Sequence, residues 1–284
     1  MKFCRFGPQG QEKPGVLDAQ GRIRDLSGVV DDITVASIAG LTVDIESLPL
    51  VEEGTRYGVP VAGIGKIVAI GLNYADHAAE SNLPVPSEPM MFMKALSSLT
   101  GPNDEVMIPK GSTHTDWEVE LAVVIGKTAR YVSKEDALSY VAGYAVANDV
   151  SERFNQKQRG SQWSKGKGHD TFCPLGPWLV TPDETGDHQN LDMFLDVNDT
   201  RMQTGNTKTM IFDVAELISY VSEYITLYPG DLMITGTPPG VGEGKKPNAI
   251  YLKAGDTMKL GIAGLGEQNQ KVVEWRNLGD TVLG

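Results

Sequence analysis

The segment Trp117-Glu118-Val119-Glu120-Leu121-Ala122-Val123-Val124-Ile125-Gly126 decides the fold and singles out a site. Its apolar, β-branched run suits a strand. Side chains on a strand alternate between faces, so Glu118 and Glu120 share one face while Val119, Leu121 and Val123 occupy the other. Such a pair in isolation reads most simply as the solvated face of an edge strand, because carboxylates normally sit outside. A second segment argues the other way. Tyr144 to Asn148 runs apolar into Asp149 and Val150, so a third carboxylate ends a strand bound for the core. Three carboxylates with no paired His or Cys beside them form a hard oxygen donor set, suited to Mg²⁺, Mn²⁺ or Ca²⁺ and poorly suited to structural Zn²⁺.

Working outward, Ile67 to Ile70, Trp178 to Val180 and Leu232 to Thr235 also read as strands. Lys2 to Phe6 and Val16 to Leu26 make a small β-rich start, with turn chemistry at Asp18-Ala19-Gln20-Gly21. Two helices are predicted. Asp213 caps the first with Glu216 as its reciprocal partner, and Val214, Leu217, Ile218, Val221 and Ile225 fall on one face before Pro229-Gly230. Ser133 and Asp136 open the second, through Ala137, Leu138 and Val141. Many strands with few helices predict an α+β or mostly β fold, not a doubly wound sheet. Gly54, Gly58 and Pro60 place a boundary near residue 60, giving an N-terminal unit of residues 1–60 and a larger unit of residues 61–284.

The chain carries 25 Lys+Arg against 37 Asp+Glu, a formal net charge of −12 over 284 residues, which argues against a nucleic-acid partner. Cys4 and Cys173 are too few for a disulfide framework, so a reducing compartment is expected. No run approaches the roughly 20 apolar residues of a membrane span, and Arg5, Gly7 and Pro8 interrupt any signal-like stretch. The expectation is a cytoplasmic protein without a membrane partner.

Beyond the acids, Gly71-Leu72-Asn73-Tyr74-Ala75-Asp76-His77-Ala78-Ala79-Glu80 follows a strand. In a helical turn His77 and Glu80 are neighbours at i and i+3, an arrangement in which a carboxylate orients a general base, although a surface His–Glu pair has the same spacing. Pro84, Pro86 and Pro89 mark the next segment as a loop able to carry this turn as a lid. Trp163-Ser164-Lys165-Gly166-Lys167-Gly168-His169-Asp170 reads either as an anion-binding loop or as a flexible solvated one. Thr235-Gly236-Thr237-Pro238 offers hydroxyls and amides without a P-loop pattern. His114 stands near enough to the acids to approach a metal, while His188 reads as a surface residue in an acidic turn. No G-x-S-x-G elbow is present, and Cys173 shows no local sign of activation.

In these residues the chain resembles the fumarylacetoacetate hydrolase family, over roughly residues 64 to 275. The order of pieces carries the resemblance: Asn73 to His77 with Glu80, then Phe92-Met93-Lys94, Glu118-Val119-Glu120, Asp149 with Arg153 and Gln156, Lys167, Cys173-Pro174, and Thr235 to Pro238. It implies a mixed β-sandwich roll preceded by a small β-rich domain, usually as a homodimer. It also implies Mg²⁺ or Mn²⁺ on Glu118, Glu120 and Asp149, a catalytic dyad of His77 and Glu80 with Lys167, and substrate contacts at Arg153, Gln156 and Thr237. The loop from Ser164 to Asp170 resembles members acting on 2,4-diketo-3-deoxy sugar acids. The activity so implied is metal-dependent hydrolysis of the C3–C4 bond of a 2,4-dioxo acid, giving pyruvate and a carboxylic acid. On the same scaffold the alternatives are oxaloacetate decarboxylation, isomerisation or hydration of a 2-oxo-enoate, and ureidoglycolate lysis. A metal-stabilised binding module without turnover is the alternative from another class.

Overall fold

In a computed structural model, which describes residues 1–76 and 84–277, Val119–Ile125 is a central strand with every residue buried. It pairs antiparallel with Val141–Asn148 on one side and with Leu232–Ile234 on the other. Ile67–Gly71 then pairs parallel with Leu232–Ile234, Leu232 opposite Ile67, and Met90–Lys94 closes that edge. Across the sheet, Cys173–Val180 joins Val141–Asn148, and Lys2–Phe6, Lys13–Leu17 and Ile23–Asp25 extend it outward. Strands with neighbours on both sides and layers on both faces carry continuous apolar runs, which is why these segments lack polar alternation.

A second sheet runs Thr200–Asn206, Asp192–Val197, Thr257–Ile262, Gly266–Val273 and Val106–Met107. Its inward residues Met193, Leu195, Val197 and Leu260 share one apolar cluster with Val119, Leu121 and Val123. The opposite face of the central strand, Ala122 and Val124, packs with Ile67, Ala69, Ala145 and Ala147, and this second cluster reaches Phe3, Val16 and Leu26. Period-2 alternation therefore sends one strand into two cores. The architecture is α+β, a mixed β-sandwich roll, with an N-terminal hairpin whose Phe3 stands opposite Leu179.

The turn between Lys13–Leu17 and Ile23–Asp25 forms as expected, with Gly21 N–H donating to Asp18 C=O at 2.9 Å. The helix Val214–Tyr224 also forms, and the Asp213 carboxylate accepts from Glu216 N–H at 2.8 Å. Two details differ from the sequence reading. The Glu216 side chain turns to Lys134 at 3.0 Å instead of closing a reciprocal cap, because the same ammonium also reaches Asp213 at 2.9 Å. Ser133 and Asp136 open only a 3₁₀ turn over Ala137–Tyr140, since Val141 is drawn into sheet pairing opposite Ile125. Sheet register overrides local helix chemistry there.

Candidate active site

The register between Val119–Ile125 and Val141–Asn148 builds the site. Asn148 stands opposite Val119 and Ala147 opposite Glu120, so the next residue, Asp149, falls beside Glu118, its N–H donating to Glu118 C=O at 2.8 Å. Glu118, Glu120 and Asp149 are all buried, and ligand oxygens from the three lie within 4.8 Å of one another. The acids lie on the same side of the strand as Ala122 and Val124, at the edge of the second core.

Each acid has a different environment. Glu118 Oε2 receives Lys167 Nζ at 2.7 Å and Oε1 receives Arg153 Nη2 at 2.7 Å. Burial works to raise its pKa, but the Lys167 and Arg153 charges outweigh burial and hold this carboxyl below the ordinary range. Asp149 is gripped from two sides, by Lys94 Nζ on Oδ1 at 2.6 Å and Lys167 Nζ on Oδ2 at 2.6 Å. Among the described residues Glu120 has no cation of its own. Burial, then the charges of Asp149 and Glu118, push its carboxyl well above the ordinary range, while Oε2 accepts Gly236 N–H at 2.7 Å. Gly236 adopts φ of +93°, and a Cβ there would meet the Asn73 Cβ at 2.8 Å, so only glycine brings this amide to the acid.

Lys167 ends the short helix Ser164–Lys167, fastened by Ser164 Oγ to Met93 C=O at 2.7 Å. Burial opposes its charge, yet Asp149 and Glu118 raise its pKa above the ordinary lysine value, so it stays an ammonium. Its segment is thus neither a solvated loop nor an open anion cradle: its lysine already serves two protein carboxylates. Arg153 Nε donates to Asp116 Oδ2 at 2.8 Å and Nη1 to Gln156 Oε1 at 3.1 Å. A guanidinium only donates, so this contact fixes the Gln156 oxygen toward Arg153 and turns its NH₂ away. Thr237 Oγ1 donates to Val119 C=O at 2.9 Å and accepts from Gln203 Nε2 at 2.8 Å. A cleft of about 350 Å³ is lined by Glu118, Glu120, Arg153, Gln156, Lys167 and Thr237 together.

His77 and Glu80 lie outside the described residues. Just before them, Asn73 donates from Nδ2 to Thr235 C=O at 2.8 Å and Phe212 C=O at 3.1 Å, and its Oδ1 accepts Phe212 N–H at 2.9 Å. Tyr74 is fully buried. Asn73 and Tyr74 therefore anchor the chain that leads into the 77–83 segment against the loop that serves Glu120. His114 packs between Phe154 and Tyr251, His169 meets Asn155, and His188 is half-buried and stacked on Tyr144; none joins the acidic cluster. Burial pushes the Cys173 thiol up to about 12, in keeping with an unreactive cysteine.

Two contributors escape the motifs, and a third, Lys94, stands in the Phe92-Met93-Lys94 motif without a role assigned from the sequence. Lys94 is fully buried and pairs with Asp149 across 55 positions of sequence. Asp116 receives Trp117 N–H, Gly242 N–H, Glu243 N–H and Arg153 Nε, and so joins the site to the 242–243 loop. Its parity with Glu118 and Glu120 is the available signal, since D-x-E-x-E places three acids on one side of an extended chain. Asn148 supplies Oδ1 to Glu118 N–H at 3.1 Å.

Three close, buried carboxylates, with no His or Cys joining their cluster among the described residues, fit a hard divalent cation. Glu118 and Asp149 are each reached by lysine or arginine side chains, whereas among the described residues Glu120 is hydrogen-bonded by Gly236 N–H alone, which leaves carboxylate capacity for a cation. Among the described residues no helix is long and apolar enough to cross a membrane.

Residues 66–273 match the fumarylacetoacetate (FAA) hydrolase C-terminal family. The whole chain is 77% identical to the full length of a 2,4-didehydro-3-deoxy-L-rhamnonate hydrolase from a Sphingomonas species. Among solved structures it is similar to a fumarylacetoacetate hydrolase from psychrophilic Exiguobacterium antarcticum, at 35% identity and a TM-score of 0.88 over 97% of this chain and 100% of that one. It is also similar to maleylpyruvate hydrolase from a Sphingobium species, in complex with manganese(II) ion and pyruvate, at 31% identity and a TM-score of 0.79 over 97% and 100% of the two chains. The matched region contains both sheets' central strands and all three acids, and the chain belongs to the fumarylacetoacetate hydrolase family and is a hydrolase.

Proposed function

We propose that this protein hydrolyses the C3–C4 bond of a 2,4-diketo-3-deoxy sugar acid, with the deoxy-L-rhamnonate derivative as its substrate. The observation that carries the reading is the cleft itself, in which Glu118 and Glu120, two members of the three-carboxylate set, line the wall together with a buried ammonium, a guanidinium and an amide donor. Identity of 77% over the full length to a hydrolase of that name supports the choice of substrate.

Glu118, Glu120 and Asp149 would hold Mg²⁺ or Mn²⁺, which when bound supplies Lewis-acid stabilisation for the enolate of a 2-oxo acid. The chain's own residues do the rest. His77, oriented by Glu80, removes a proton from water as its oxygen attacks C4. Lys167 stabilises charge on the C4 oxygen, and Gln156 and Thr237 contact the substrate beside Arg153. The C3–C4 bond then breaks with its electron pair on C3, which is protonated to give pyruvate. C4 leaves as a carboxylic acid, lactate when the substrate carries a hydroxyl on C5 and a methyl at C6.

In this reading residues 1–60 are a small domain appended to a catalytic domain of residues 61–284, and the enzyme works as a cytoplasmic homodimer with neither nucleic acid nor membrane as partner. The test is to supply 2,4-diketo-3-deoxy-L-rhamnonate with Mg²⁺ or Mn²⁺ and follow pyruvate with coupled lactate dehydrogenase. Metal-dependent pyruvate release supports the reading. Consumption of the substrate without pyruvate would favour isomerisation, and no consumption would refute the substrate.

A further inference from the structure

At the mouth of the same cleft stands an ion pair that the hydrolytic chemistry leaves unused. Lys157 Nζ lies 2.5 Å from Glu243 Oε2, and both residues line the cleft. An apolar part of the wall is formed by Leu72, Met90 and Trp163, the last two packed beside Gly71. Resting on the reaction read above, we propose that Glu243 is the residue that selects the substrate beyond C4, accepting a hydrogen bond from its C5 hydroxyl while the apolar wall takes the C6 methyl.

Distance supports this assignment. The Arg153 guanidinium separates Glu243 from the acids, with Nη2 at 2.7 Å from Glu118 Oε1 and Nε at 3.8 Å from Glu243 Oε2. A substrate with its 2-oxo acid end among the carboxylates extends roughly 5 Å from C1 to C5, given carbon–carbon bonds of about 1.5 Å, and its tail therefore arrives about one guanidinium away. Chemistry supports it as well. A carboxylate only accepts, and Glu243 Oε1 has no protein partner among the described residues, so a hydroxyl is the complementary group. A second carboxylate on the substrate would be repelled by the same charge.

The Glu243 backbone is also held in place. Its N–H donates to Asp116 Oδ2 at 3.0 Å and the preceding Gly242 N–H to Asp116 Oδ1 at 2.7 Å. Gly242 has no room for a side chain, since a Cβ would lie 2.0 Å from Ile250 C=O. The buried Asp116 therefore fixes the tail-reading residue and Arg153 in one frame. A ligand without the hydroxyl forfeits one charge-assisted hydrogen bond, which is how the hydroxyl is distinguished from its absence.

The experiment compares 2,4-diketo-3-deoxy-L-rhamnonate with 2,4-dioxohexanoate, the same chain without the C5 hydroxyl, in the parent and in Glu243→Ala and Glu243→Gln. The parent should favour the hydroxylated substrate in kcat/KM by roughly 10-fold or more, and Glu243→Ala should bring that ratio close to one. Glu243→Gln keeps a neutral acceptor and should fall between them, which also covers a poorly folding alanine variant. Equal loss on both substrates, or an unchanged ratio in both variants, would overturn the assignment while leaving the hydrolytic reading intact. If the parent hydrolyses neither compound, the hydrolytic reading fails and this inference with it.

Discussion

Lys94 Nζ lies 2.6 Å from Oδ1 of Asp149, and neither side chain is more than 1% exposed. The same ammonium donates to the backbone carbonyl of Lys167. Lys94 therefore fixes a carboxylate of the cluster and the segment that carries the neighbouring lysine. Loss of one partner from a buried pair leaves an uncompensated charge. Lys94→Met should lower stability by about 3 kcal/mol, read from the urea midpoint at unchanged slope. A midpoint equal to the parent's would show that Lys167 alone satisfies Asp149.

Among the described residues Glu120 is held neither by lysine nor by arginine, and burial with its two acidic neighbours disfavours its charge. Glu120→Gln keeps an acceptor for Gly236 N–H and removes the repulsion. With chelator present this variant should be at least as stable as the parent, gaining about 1 kcal/mol, while its Mg²⁺ affinity by calorimetry falls at least tenfold. Opposite signs for the two quantities separate a metal ligand from a structural acid. Unchanged metal affinity would remove Glu120 from the ligand set.

The proposed base is tested by the same separation. His77→Ala should cut turnover by roughly 10² to 10⁴-fold, the usual range for a general base, with Mg²⁺ affinity unaltered. Glu80→Gln should reduce turnover less, since it alters only the orientation of the imidazole. Parental turnover in His77→Ala would exclude it as the base.

Acid stability has a source remote from the cleft. Asp104 receives Arg56 Nε at 2.8 Å and Nη2 at 2.6 Å, with Thr100 Oγ1 and Gly101 N–H at 3.0 and 2.8 Å. Partial burial would raise its pKa, but Arg56 and the two further donors lower it below the ordinary 3.8. A carboxyl lowered on folding contributes stability that is complete above its unfolded pKa and lost as pH falls through the folded value. Asp104→Asn should therefore cost about 1 kcal/mol at pH 7, allowing for solvent screening, and the difference from the parent should shrink as pH drops below about 4. A pH-independent difference in thermal midpoint would contradict this account.

Several parts of the molecule were legible before any coordinates. The shared face of Glu118 and Glu120, the apolar partners Val119, Leu121 and Val123, the Asp213 cap and the turn at Asp18 all rest on interactions within a few residues. Val141 shows where such reasoning stops. Local chemistry favours helix after Asp136, but pairing opposite Ile125 makes Val141 a strand residue, because a ladder between distant segments outweighs a small local preference.

Side-chain alternation follows from backbone geometry alone, so residue order is enough to point two acids the same way and to end a core strand on a third. The tertiary structure makes these acids converge, through a register setting Asn148 opposite Val119, and brings Lys94, Lys167 and Arg153 to divide their charge unequally. Through Asp116 it also ties the cluster to Glu243. Those relationships span tens of residues and depend on how two sheets and their loops pack, for which no local spacing rule exists.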